Sequence, residues 1–291
     1  MKPSKKKIVR FLENTAEKYL GDKFYSIILF MRYFNNFKRS ISRKKTNIIH
    51  SNNIDEINKY EYKITSQNNE DGIIEYIFNK IPNNKSFFEI GFEYYESNTL
   101  NLIKNNWSGV LLDQSRAESL LTKKLLNYFY PKNDISIVNE RITKDNINNI
   151  INKNKKNNEI DFFSLDVDGN DYWILKNINL TNIKCICLEF NHWIDKSLKK
   201  SIPYNENFQY MDDGFFGASL LAFHDLLKEK KFDLIAIDSS GTNAFFVERS
   251  FSSSFKILDP IKSFKFGPYQ YTENKKKDIM SKVQNHKFKD V

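Results

Sequence analysis

The chain has 291 residues, 40% of them hydrophobic, with 25 Phe and 15 Tyr, which is enough for a packed core and excludes an intrinsically disordered chain. Its net charge is +9, but residues 1–50 carry +10 and residues 251–291 carry +5, so residues 51–250 are at −6. An acidic body with basic ends excludes a nucleic-acid groove in the core, and the two cysteines, Cys185 and Cys187, make neither a disulfide framework nor a zinc site, which points to a reducing cytoplasm.

Residues 1–60 read as a basic helical extension and a polar connector. Residues 1–10 lead into no small-residue cleavage site, and the apolar run at 25–31 is too short to cross a bilayer. Ile27, Ile28, Phe30, Met31, Phe34 and Phe37 form one broad helical face edged by Lys23, Arg32, Lys38 and Arg39. Such a face packs on the body, on a second copy in a homo-oligomer, or on a membrane surface. The basic ends fit peripheral contact with anionic headgroups at the inner membrane surface.

From residue 66 short apolar runs alternate with helical stretches. Glu70 and Asp71 suit a helix N-terminus before Ile73, Ile74, Ile77 and Phe78. Strands are predicted over 86–90, 110–113, 135–138, 160–166 and 184–190, with helices over 98–105, 116–129, 144–151 and 171–178 between them. An irregular segment, 191–214, follows. A helix over 218–230 then feeds strands over 233–237 and 243–248, joined by a turn too short for a crossover helix, so these two pair antiparallel. Residues 251–291 show little pattern and form a basic tail. The implied fold is α/β: a Rossmann-like, doubly wound, mostly parallel seven-stranded sheet at residues 61–250, with an antiparallel C-terminal hairpin and an N-terminal helical extension.

The densest chemistry lies at 161–171, where Phe162, Phe163 and Leu165 run into Asp166, Asp168 and Asp171. Gly169 and Asn170 between them tolerate the backbone angles of a tight turn. In open α/β sheets ligands bind at the carboxyl ends of strands, where this loop falls. Glu89 and Gly91 end the first strand, the glycine letting a ligand approach the backbone. The carboxylates Glu93 and Glu96 that follow disfavour a pyrophosphate, whereas a cationic sulfonium tolerates them, so S-adenosylmethionine fits this edge better than a dinucleotide. Asp113, ending the second strand, suits hydrogen bonds to ribose hydroxyls.

Asp166, Asp168 and Glu189, from adjacent strand ends, form an oxygen set able to hold a divalent cation. His192 is the best-placed histidine for a general base beside Asp166 and Asp168. His50, His224 and His286 have no supporting context. Trp193, Tyr204, Phe208 and Tyr210 in the irregular segment suit an acceptor-binding flap for a sugar. Asp166-Val167-Asp168 also allows a metal-dependent glycosyltransferase.

Taken in order, Ser66 to Gly72, Glu89-Ile90-Gly91, Glu96-Ser97-Asn98-Thr99, Trp107-Ser108-Gly109, Asp113, Asp145 to Asn148, Asp166 to Trp173, Leu188 to Asn191, Phe216 to Leu220 and Asn243 to Val247 resemble the FkbM-like branch of class I S-adenosylmethionine-dependent methyltransferases. The resemblance spans about residues 62–249. It implies a methyltransferase linked to the building of cell-surface polysaccharides, with a saccharide or glycan precursor as acceptor. The implied cofactor residues are Gln67, Glu89, Gly91, Asn98, Asp113 and Asp166, the last also beside the transferred methyl. The chain departs from the family pattern where Glu93 to Glu96 replace the later glycines of the first motif, and that departure allows the alternative of a non-catalytic scaffold in glycan assembly.

Overall fold

The computed structural model describes residues 21–47, 55–266 and 271–291. His50, with the rest of residues 48–54 in the connector, and the first 20 residues of the extension lie outside the described residues. Helix α1 (Asp22–Ile41) is followed by α2 (Glu70–Phe78), β1 (Ser86–Ile90), α3 (Leu100–Lys104), β2 (Ser108–Asp113) and α4 (Arg116–Phe129). Then come β3 (Ile135–Asn139), α5 (Ile147–Asn154), β4 (Ile160–Leu165), α6 (Asp171–Asn177) and β5 (Ile183–Glu189). Helix α7 (Leu220–Glu229), β6 (Phe232–Ile237), β7 (Asn243–Glu248) and α8 (Glu273–Val283) complete the labelled elements.

The seven strands lie in the order β3-β2-β1-β4-β5-β7-β6. The first five are mutually parallel, and β7 runs antiparallel to both β5 and β6. Strands β1 and β4 are buried along their whole length, as central strands covered on both faces must be. Their side chains alternate between two cores. Phe88, Phe163 and Ile186 face α5, α6 and α7, whereas Phe87, Phe162 and Cys185 face the layer that contains α1 to α4. Caps fix the helix starts: Ser115 Oγ accepts from the Glu118 amide and Ser219 Oγ from the Ala222 amide, both at 3.2 Å.

Two expectations change. The face predicted for the N-terminal helix divides: Phe37 is buried, together with Tyr25 and Leu29, and Phe30 and Phe34 pack on α4, but Ile28 and Met31 point outward. The predicted set was wider than the stripe one neighbour can cover. The tail is also not patternless. Ile279, Met280 and Val283 of α8 pack on Trp193 and Phe216, and Lys289–Asp290 pair with Lys200–Ser201. The abundant lysines had masked so short an apolar stripe.

Candidate active site

Because β1 leads to β2 and β3 on one side and the chain returns to β4 and β5 on the other, loops diverge at the carboxyl ends of β1 and β4. A cavity of about 420 Å3 opens there, within the ordinary range of small-molecule sites of roughly 300–1,000 Å3. Gln67, Asn98, Asp113, Asp166, Asp168 and Glu189 all reach its wall, as do Glu89 and Gly91.

The parts of Glu89 and Gly91 differ from those expected. Glu89 is buried, and its carboxylate accepts from the Asn98 amide at 3.0 Å, from Ser97 Oγ at 2.5 Å and from Thr99 Oγ1. Burial raises its pKa, opposed by these same bonds. Its carboxylate therefore also orders the chain's own loop at the cavity wall. Gly91, with φ 76°, donates its amide to Leu112 O at 2.9 Å, and a Cβ there would lie 1.5 Å from the Asp166 carbonyl oxygen. The close approach that requires glycine is thus made by the chain itself.

Asp113 keeps one oxygen open. Its Oδ1 accepts from the Ser115 amide at 2.6 Å, and Oδ2 has no hydrogen bond among the described residues. Burial raises its pKa, with Asp168 and Glu93 adding to the effect. Asn98 is held by Nδ2 donating to Ser164 Oγ at 3.1 Å. Gln67 is exposed on the rim.

Carboxylate oxygens of Asp166, Asp168 and Glu189 lie within 4.8 Å of one another. Burial first, then the neighbouring carboxylates, pushes Asp166 and Glu189 well above the usual carboxylate range. Asp168 stands in the cavity mouth, more exposed, and burial raises it too. Its φ of 54° means that the aspartate, and not Gly169 or Asn170, adopts the unusual backbone angle of this turn. Gly169 serves a different need: a Cβ would meet the Phe208 ring at 2.4 Å. Asp171 locks the turn from within, accepting from the Val167 and Gly169 amides at 2.9 Å each, and burial lifts it to about 6.

His192 does not join this group. It lies beside Phe190, Trp193 and Phe216, is 4% exposed, and does not line the cavity. Neither ring nitrogen has a hydrogen bond of good geometry. Burial drives its pKa down to about 3, against a weak pull from the Phe190 backbone. The base role expected for it lacks the necessary proximity. A position three residues beyond the buried strand β5 equally well turns a side chain back into the core. Of the flap aromatics, Phe208 lines the cavity, while Trp193 and Tyr210 pack with Phe216.

Sequence reasoning passed over Glu118 and Arg141. Glu118 reaches the cavity from the first turn of α4, accepts from the Tyr94 amide, and is lifted to about 7 by burial with Glu93 and Asp113 nearby. Arg141 donates to Glu206 O, and to Asn207 Oδ1 at 3.2 Å, while Asn170 Nδ2 donates to Asn205 O at 2.8 Å, so two side chains clasp residues 205–207 over the rim. The signal for both lay in three-dimensional proximity. Among the described residues lining the cavity, Arg141 alone is cationic, against carboxylates that include Glu93, Asp113, Glu118, Asp166 and Glu189.

No protein-family model and no curated protein matches the chain. Solved structures similar to it include the N-terminal domain of EvdMO1 with SAH bound, at 10% identity over 63% of this chain and 80% of that one, TM-score 0.42. Magnesium protoporphyrin IX methyltransferase of Synechocystis PCC 6803 with bound SAM is similar at 10% identity over 79% and 98%, TM-score 0.39. An S-adenosylmethionine-dependent methyltransferase of Clostridium acetobutylicum is similar at 11% over 61% and 88%, TM-score 0.39. The strand order and its single reversed strand carry the structural assignment on their own. The chain has a Rossmann-like methyltransferase fold.

Proposed function

We propose that the chain is an S-adenosylmethionine-dependent methyltransferase of the FkbM-like branch, O-methylating a hydroxyl of a saccharide that belongs to a cell-surface polysaccharide or its precursor. One observation carries the reading: a cavity at the switch point of a methyltransferase-type sheet, walled by carboxylates, with an aspartate oxygen unspent at the end of β2. Acidic walls suit a cationic sulfonium and polyol hydroxyls. A nucleotide-sugar diphosphate would lie against Glu93, Glu96 and Asp113, which favours the methyltransferase over the glycosyltransferase alternative.

The bound cofactor supplies an electrophilic methyl group, so the protein's share is positioning and proton handling. Asp113 Oδ2 is placed to accept a ribose hydroxyl. Asp166, on the cavity wall just after β4, is the carboxylate assigned to take the proton of the attacking hydroxyl. Phe208 over Gly169 offers an aromatic surface beside Asp168 for the apolar face of a sugar ring. The three clustered carboxylates have the hard-oxygen character that holds Mg2+ or Mn2+, and a divalent cation would offset their mutual repulsion.

The test is thermal shift and calorimetry on the purified chain. S-adenosylmethionine should raise Tm and bind with a measurable Kd. Mn2+ should add a separate shift that Asp166→Asn abolishes. If neither S-adenosylmethionine nor S-adenosylhomocysteine shifts Tm at millimolar concentration, the enzymatic reading fails and the scaffold reading takes its place.

A further inference from the structure

Helix α1 carries an outward face that the body leaves uncovered. Phe24 is 65% exposed, Ile28 41% and Met31 70%. They fall at i, i+4 and i+7, a single stripe about 10 Å long on a helix rising 1.5 Å per residue. The opposite face is firmly seated, with Tyr25, Leu29 and Phe37 buried and Phe34 stacked on Phe129 at 5.2 Å. The outward orientation is therefore fixed by packing. Exposed Arg32, Lys38 and Arg39 lie alongside the stripe on the helical wheel, Arg32 resting over the Tyr33 ring at 4.9 Å.

We propose that this face docks on an anionic lipid surface. A narrow row of large apolar side chains flanked by cations is the pattern of a helix lying in a membrane interface. The charge distribution selects the occupant. Residues 21–47 carry a net +6 while residues 51–250 carry −6, so pairing this face with the same face of a second copy would set Arg32, Lys38 and Arg39 against their own like charges, whereas an anionic headgroup layer complements them. Among the described residues no helix is long and apolar enough to cross a membrane, which leaves α1 a surface mode of contact.

The docking would also orient the cavity. Asp22, in the first turn of α1, pairs with Arg116, the first residue of α4, and the cap of that helix, Ser115, stands on the cavity wall. A helix held on lipid along α1 is thus tied through α4 to the cavity wall, whatever the cavity binds.

Vesicle flotation of the full chain tests this directly, using vesicles of phosphatidylcholine with 30% phosphatidylglycerol and vesicles of phosphatidylcholine alone. Binding to the anionic vesicles alone, weakened by 0.5 M NaCl, is the expected result. Phe24→Asp with Met31→Asp should abolish it. Lys38→Gln with Arg39→Gln should lower partitioning more than about tenfold, since each cation near an anionic surface contributes about a fivefold factor. All four positions are exposed, so Tm should stay at the wild-type value in both variants. Equal flotation on neutral vesicles, no flotation at all, or binding that survives Phe24→Asp with Met31→Asp overturns the proposal. So does light scattering that shows a dimer in buffer converted to monomer by that pair, which would assign the stripe to a second copy.

Discussion

Replacing Asp113 by alanine isolates the acid that the proposed function assigns to the cofactor's ribose. One oxygen already accepts from the Ser115 amide, so the variant removes a single unspent acceptor together with the charge. Hydrogen bonds to a charged group contribute about 1.5–3 kcal/mol, which at about 1.4 kcal/mol per decade weakens S-adenosylmethionine binding about tenfold to 150-fold. Two side effects are small. Ser115 is exposed, so water replaces the lost acceptor. The apo protein sheds a carboxylate whose pKa is raised by burial and by the Asp168 and Glu93 charges, so its Tm should hold or rise slightly. Calorimetric titration with S-adenosylmethionine and S-adenosylhomocysteine reads the effect. The charged cofactor should lose more than the uncharged product, because the sulfonium also feels the missing negative charge. Both dissociation constants staying within twofold of wild type would refute the seat at the end of β2.

Burial lifts Glu118 from 4.5 to about 7, and because the folded state holds this proton more tightly than the unfolded chain, the stability it contributes is complete below about pH 4.5 and is lost as pH rises through 7. Glu118→Gln should flatten the decline of stability between pH 5 and 8 by up to about 2 kcal/mol, once partial solvent screening is allowed for; an unchanged slope in urea melts would remove Glu118 as the titrating group. Gly91→Ala forces a Cβ against the Asp166 carbonyl at a φ of 76°, so it should cost more than about 3 kcal/mol and lower Tm by roughly 6 °C or more, whereas a wild-type melt would show that the crossing of β1 and β4 ends is looser than described. His192→Leu removes two buried nitrogens that lack good hydrogen bonds, so Tm should hold or rise and methyl transfer should stay within about twofold; a tenfold loss of rate with an unchanged Kd for cofactor would return His192 to the chemistry.

Local pattern carried the architecture because each strand is a short apolar run bounded by turn residues, and because the five-residue connection between β6 and β7 leaves antiparallel pairing as the available geometry. The same logic marked Asp113, Asp166, Asp168 and Glu189, since a carboxylate closing a buried parallel strand emerges at the ligand-binding edge. What each side chain does there needed the tertiary structure. Glu89 and Gly91 lie where the pattern put them, yet one also binds Ser97, Asn98 and Thr99 and the other is demanded by the Asp166 carbonyl, partners that loop closure brings together. His192 fell to the core and Arg141 rose to the rim because burial after a strand end depends on what packs against it, and a neighbour 65 residues away in the chain leaves no periodic trace in the sequence.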